Sequence, residues 1–121
     1  MITNTQKCIV YLESGKPHQL TINEVAEKIP PGWRPLVREL CHKLFDAGWD
    51  GKLSQIKEKF GGLRFYAYTH NDLIDVYETQ SYKICQKCSS IHKVKTHDIN
   101  GWLTTLCANC KSRIKNDRAS S

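Results

Sequence analysis

Four of the six cysteines stand in two pairs, Cys85-x2-Cys88 and Cys107-x2-Cys110, with eighteen residues between the pairs. Two residues between cysteines let the backbone curl into a knuckle that aims both sulfurs at one ion. Four thiolates then complete the tetrahedron that structural zinc prefers. The spacing predicts a structural Zn2+ held by Cys85, Cys88, Cys107 and Cys110. A closed four-thiolate set leaves no position for water or substrate, so this metal is expected to build structure and not to catalyse. An iron–sulfur cluster is the alternative that four cysteines also permit. A redox CxxC would need a thioredoxin-like βαβ context, which is missing here. His92 and His97 lie between the pairs and could replace a ligand, but four cysteines leave neither needed.

The residues between the ligands specify how they are positioned. Ser89 and Ser90 leave the first knuckle, Ile91 to His97 reads as a strand, and Asp98-Ile99-Asn100-Gly101 contains an Asn-Gly turn. Trp102 to Leu106 reads as the return strand, and Ala108 to Lys115 as a helix with Cys110 in its first turn. Knuckle, hairpin and helix-borne ligand make a treble clef; a zinc ribbon with an irregular tail is the alternative. Trp102 and Leu106 are expected to keep water from the ion. HNH nucleases are also treble clefs, with a histidine base on the hairpin, and His97, Asp98 and Asn100 invite the comparison. The following helix, KSRIKNDRA, supplies no second histidine for a catalytic metal, so an enzyme is not expected. GxGxxG, GxxxxGK, GxSxG and HExxH motifs are absent, and the acidic pairs Asp72/Asp75 and Glu24/Glu27 read as solvated helix faces.

Charge points to binding. Residues 1–78 carry equal numbers of basic and acidic side chains, so the formal net charge of +6 falls on residues 79–121. Lys93, Lys95, Lys111, Arg113, Lys115 and Arg118 make the module a candidate surface for nucleic acid or for an acidic protein face. A second candidate surface lies upstream. LSQIKEKFGGLRFYAY, residues 53–68, reads as a β-hairpin with Gly61-Gly62 as its two-residue turn. That register pairs Phe60 with Leu63, Glu58 with Phe65 and Ile56 with Ala67 on an inward face. It sets Lys57, Lys59, Arg64 and Tyr66 on the outward face, where cations interleaved with tyrosine suit phosphates and bases.

The elements that must hold these surfaces follow from periodicity. Cys8 to Leu12 reads as a strand and Ser14 to Pro17 as a turn. Leu20 to Ile29 reads as a strand running into a short helix capped by Asn23. Trp33, Leu36, Val37, Leu40, Cys41, Leu44 and Phe45 recur as one stripe of an amphipathic helix that Pro30-Pro31-Gly32 starts and Gly48 ends. Cys41 lies on the stripe as a core residue, and His42 lies on its solvated side. Residues 71–83 read as a further helix, capped by Asn71 or Asp72, that faces Leu73, Ile74, Tyr77 and Tyr82 to the core.

These elements imply an α+β fold, with an amphipathic helix packed on a β-hairpin and a C-terminal treble-clef or ribbon-like zinc module. The expected division is 1–83 for the α+β region, 84–115 for the module folding cooperatively with it, and 116–121 for a frayed tail. No apolar run approaches the roughly 20 residues that span a bilayer, and the N-terminus lacks a secretory pattern. A cytoplasmic protein with no membrane partner and no small-molecule substrate is expected.

The stretches GWRPLVREL (32–40), IKEKFGGLRFY (56–66), the helix ending at Ser81 before Cys85-Gln-Lys-Cys88, and GWLTTLCANC (101–110) form an ordered set. In that order they resemble a group of small proteins encoded mainly by bacteriophages and prophages. The resemblance covers residues 31–110, and KEKFGGLRFY is its most specific part. In that group a histidine can stand near the last ligand position; here Cys110 makes the site all-cysteine. The resemblance implies a protein acting in a bacterial host's cytoplasm by binding. Its target would be host transcription or replication machinery, or a defence system such as a CRISPR effector.

Overall fold

The computed structural model describes residues 3–11 and 15–119, with side chains to residue 114. Leu12 and Ser14, the side chains of Lys115 and Arg118, and the end of the expected tail at Ser120-Ser121 lie outside the described residues. The chain is mixed α and β, with three small sheets. β1 (Lys7–Tyr11) pairs antiparallel with β2 (Pro17–Thr21) and parallel with the short β3 (Lys52–Leu53). β4 (Gln55–Lys59) and β5 (Gly62–Tyr66) form one hairpin, and β6 (Val94–Ile99) and β7 (Trp102–Cys107) form another. Among the described residues four α-helices connect and cover them, α1 (Ile22–Ala26), α2 (Arg34–Asp46), α3 (Asn71–Ser81) and α4 (Ala108–Ala119), and a 3-10 turn at Pro31–Trp33 leads into α2.

The apolar stripe of α2 is the centre of the core. Leu36, Val37, Leu40, Cys41 and Leu44 are buried, packed with Val25 and Ala26 of α1 and Ile74 and Tyr77 of α3. Gly48 sits at φ +97, where its N–H and that of Trp49 donate to the carbonyls of Phe45 and Leu44 at 3.0 and 2.9 Å. This pair of bonds is the Schellman ending expected of a glycine just past a helix. Trp49 then turns back under the core against Phe45 and Phe65. His42 is not solvated as expected. It is half-buried and bonds Asn4 Oδ1 at 2.7 Å, because the chain before β1 crosses that side of α2. Cys8 and Cys41 are both fully buried free cysteines, and their mutual influence holds the Cys8 thiol below its ordinary value and, with burial, pushes Cys41 well above it.

Two caps differ from the sequence expectation. Thr21, not Asn23, caps α1: its Oγ1 accepts from Glu24 N at 3.1 Å, and Glu24 Oε1 accepts from Thr21 N at 2.9 Å. This reciprocal pair satisfies two orphan amides at once, which a single Asn cap cannot do. His70 rather than Asn71 or Asp72 precedes α3, in a left-handed conformation at φ 49.

The β4–β5 hairpin corrects the predicted register by two residues. The turn is Phe60-Gly61, at φ 55 and 79, and Lys59 pairs with Gly62, Glu58 with Leu63, Lys57 with Arg64 and Ile56 with Phe65. A two-residue shift preserves the side-chain alternation, so Ile56, Leu63 and Phe65 stay in the core. Phe60, expected inward opposite Leu63, is instead 64% exposed. Glycine at 62 is required by close packing: a Cβ there would lie 2.3 Å from the Tyr82 ring. The helix laid along this hairpin is α3. Ser81 Oγ accepts from Leu63 N at 2.9 Å and Glu78 Oε2 accepts from Phe65 N at 2.8 Å. Two side chains one helical turn apart thus satisfy the amides that β5 would otherwise present as an open edge. No helix of the described residues is long and apolar enough to cross a membrane.

Candidate metal centre

Each ligand is placed by a different local device. α3 ends at Ser81, and the chain bends through Ile84 into the Cys85–Cys88 knuckle. There Cys85 N–H donates to Ser90 O at 2.8 Å and Ser89 N–H to Cys85 O at 3.0 Å. Ser89 at φ 70 closes the curl. Asn100-Gly101, at φ 56 and 82, turns β6 into β7, and Asp98 Oδ1 accepts from Gly101 N at 2.8 Å. The hairpin therefore reaches Ile99, two residues past the expected strand end. Cys107 ends β7 opposite Val94, and Cys110 follows in the first turn of α4. Knuckle, hairpin and helix stand in the treble-clef order, and α4 runs four residues beyond the expected Lys115.

The four sulfurs of Cys85, Cys88, Cys107 and Cys110 all lie within 4.8 Å of one another. Cys88 and Cys107 Sγ are 3.7 Å apart, and the cysteines are free thiols. A tetrahedral ion with metal–sulfur bonds of about 2.3 Å has sulfur–sulfur edges of about 3.8 Å. The spacing thus matches the edge of an S4 tetrahedron and is far from the roughly 2.05 Å of a disulfide. The residues fit a metal ion of the zinc or iron type, which soft thiolates select.

The thiols are electrostatically unequal. Burial alone would raise the Cys85 thiol, but amide donors from Cys107, Cys88 and Lys87 outweigh it and bring the pKa down to about 7. Burial and the neighbouring sulfurs push Cys110 up to about 12. Without a cation the cluster holds protons; a bound ion displaces them and turns four crowded sulfurs into ligands.

The knuckle is fastened to the N-terminal region as well. Trp33 Nε1 donates to Ile84 O at 2.9 Å, Gly32 N to Gln86 O at 2.7 Å, and Ser89 Oγ to Gly32 O at 2.7 Å. A Cβ on Gly32 would stand 2.0 Å from the Cys85 carbonyl oxygen. Gln86 also bonds the far strand, with its N–H to Thr105 O at 3.0 Å and its Oε1 accepting from Thr105 N at 3.1 Å. Sequence reasoning finds the ligands but misses this seam; its one signal is a glycine held between Pro31 and Trp33.

Leu106 is fully buried beside Cys85, Cys107 and Cys110, as expected. Trp102 does not join it. It is 67% exposed, and its Nε1 donates to Glu58 Oε1 at 3.3 Å. Five residue steps along the strand take Trp102 to Cys107, about 17 Å at 3.4 Å each, so the side chain lies at the far end of the hairpin.

The basic candidates divide into separate surfaces. Lys93 and Arg113 border a cleft of about 550 Å³ together with His92, Ser90, Ser112 and three of the four sulfur ligands, Cys88, Cys107 and Cys110. Lys95 is exposed on β6 and Lys111 half-buried on α4. Lys57, Lys59, Arg64 and Tyr66 lie on the β4–β5 hairpin, outside that cleft. There Lys57 Nζ sits 5.8 Å from the Tyr66 ring centroid. Arg64 is engaged internally, donating to Tyr82 OH and Leu63 O, each at 2.9 Å. His97 and Asp98 are consecutive in β6 and point to opposite faces. Asp98 and Asn100 are used in the hairpin turn, so the three nuclease-like residues do not converge. No family model matches the chain, and no curated protein or solved structure matches it either.

Proposed function

We propose that the chain is a small non-enzymatic zinc protein that binds nucleic acid through the basic face of its C-terminal module. The observation that carries this reading is the cleft beside the metal centre, where Lys93 and Arg113 flank the knuckle and the start of α4. The ion holds knuckle, hairpin and helix in fixed relation, and the cations around it neutralise phosphates and release condensed counterions. A four-sulfur tetrahedron leaves the metal no open position for chemistry, which supports binding over catalysis. The bacteriophage setting implied by the motif resemblance fits a protein of this size acting in a bacterial cytoplasm on nucleic acid or on the host proteins that handle it.

Elemental analysis of protein purified without added metal, followed by mobility-shift titration with duplex DNA, single-stranded DNA and RNA, tests the reading. One zinc per chain and affinity that falls steeply between 50 and 200 mM salt are expected, on the order of tenfold or more. Lys93→Ala with Arg113→Ala should weaken binding across all sequences and flatten the salt slope by about 0.9 for each duplex phosphate no longer neutralised. Absence of binding at 50 mM salt would move the target to a host protein, and iron in place of zinc would overturn the metal assignment.

A further inference from the structure

The tip of the β4–β5 hairpin lies against the middle of the β6–β7 hairpin. Thr105 Oγ1 on β7 donates to Gly61 O at 2.5 Å, and Thr96 on β6 donates its hydroxyl to Thr105 Oγ1 at 2.8 Å. Thr105 is fully buried at this junction, and a Cβ on Gly61 would stand 2.7 Å from Thr96 Cγ2. The junction fixes the tip of the first hairpin against the strands of the second. Between them runs a groove of about 460 Å³ lined by Glu58, Lys59, Phe60, Asp98, Trp102 and Leu103.

Two features of the groove call for a partner. Phe60 and Trp102 are 64% and 67% exposed, and with Leu103 they supply three of the seven large apolar side chains that the described residues leave exposed. Apolar side chains gathered in one groove, tryptophan above all, are the composition of an interface anchor site. The charge is the second feature. Glu58 on β4 and Asp98 on β6 bring a carboxylate from each wall, against Lys59, whose Nζ lies 5.4 Å from the Phe60 ring centroid. The groove is therefore locally acidic on a chain of net charge +6, opposite in sign to the Lys93–Arg113 cleft proposed to meet phosphates. Each carboxylate makes one internal bond, Glu58 to Trp102 Nε1 and Asp98 to Gly101 N, and keeps further lone pairs.

We propose that this groove docks a segment of another protein that presents an apolar side chain beside an arginine or lysine. The apolar side chain covers Trp102, Phe60 and Leu103, and the cation lies between Glu58 and Asp98. The threonine junction holds the walls before the partner arrives, so little ordering entropy is lost on binding.

The test uses the metal-loaded full chain. The protein is panned against a displayed random dodecapeptide library, and enriched peptides are synthesised with a fluorescent label, so that their anisotropy reads affinity for every variant, Trp102→Ala included. Trp33 and Trp49 are 0% and 4% exposed, so acrylamide-quenchable emission reports Trp102. The expected consensus is an aliphatic or aromatic residue next to Arg or Lys, with peptides that protect Trp102 from quencher. Affinity should fall about tenfold or more in Trp102→Ala and in Glu58→Lys, with metal content and near-ultraviolet circular dichroism retained. No enrichment, an acidic consensus, or undiminished binding to Trp102→Ala would overturn the proposal. Stronger protection of Trp102 by oligothymidylate than by peptides would make the groove a base-stacking surface instead. A Trp102-dependent dimer in sedimentation would make its occupant a second copy of the chain.

Discussion

Among the described residues, nineteen buried apolar side chains close the N-terminal core around α2, whereas the buried cluster of the C-terminal module consists of Leu106 and three cysteines. The first region can be stabilised by the area it removes from water. The second, at about 35 residues, is below the size at which apolar burial alone usually suffices. A metal ion held by the four sulfurs would replace the missing core there, and the two regions should then respond to different insults.

The largest expected effect is metal removal. Structural zinc contributes on the order of 10 kcal/mol to folding of small modules. Chelation, or Cys107→Ser, should therefore expose the amides of residues 85–110 to rapid hydrogen exchange. Those of α2 and β5 should keep most of their protection. Simultaneous loss of protection in both regions would show one cooperative unit and erase the distinction. Falling pH should act like chelator, because protons compete with the ion for the sulfurs.

The seam between the regions gives the next effect. Gly32→Ala puts a methyl group 2.0 Å from the Cys85 carbonyl oxygen and 2.5 Å from the Gln86 carbonyl carbon, so backbone must move. Displacement of the knuckle costs about 4 kcal/mol and strips the Gly32–Gln86 and Trp33–Ile84 bonds together. Unlike a core substitution, it should weaken metal affinity as well as thermal stability. Calorimetry with a competing chelator separates the two. Unchanged affinity in Gly32→Ala would mean that the seam fastens the module without shaping its site.

Much of this is legible from residue spacing, and the failures have local causes. The double CxxC, the Asn-Gly turn and the α2 stripe each carry a period or geometry that a short window reveals. The FGG triplet does not: Phe60-Gly61 and Gly61-Gly62 both satisfy a tight turn, and the choice is made by distant atoms. Tyr82 leaves no room for a side chain at 62, and Thr105 bonds the carbonyl of 61. Trp102 escapes the pattern because strand alternation gives a face and not the distance along it. The seam is hidden for a similar reason, since Gly32 and Gln86 meet only once α2 and α3 have packed.

Leu40→Ala tests the other side of the comparison. Leu40 is fully buried in the middle of α2, and the cavity should cost about 3 kcal/mol. Thermal stability of the N-terminal core should fall while metal content and chelator affinity stay at wild-type values. Metal loss in this variant would show that the apolar core, and not the ion alone, holds the knuckle in place.

The smallest effect lies in the N-terminal core, at the start of α1. Thr21→Ala removes half of the capping box and should cost about 1 kcal/mol in urea unfolding. The same box predicts a pH dependence with a definite sign. The Thr21 amide, then its hydroxyl, and more weakly Lys7, hold the Glu24 carboxyl below its ordinary value. A group depressed in the folded state contributes stability above its unfolded pKa and loses it as pH falls through the folded value. Wild-type stability should therefore decline through this contribution below about pH 4.3, and Glu24→Gln, which keeps an acceptor oxygen but cannot titrate, should show a shallower decline. This acid slope belongs to the N-terminal core and should persist in chelated protein, whereas the metal-linked slope should vanish there. If both slopes disappear with chelator, α1 depends on the metal, and the contrast between the two regions fails at the point where it was expected to be sharpest.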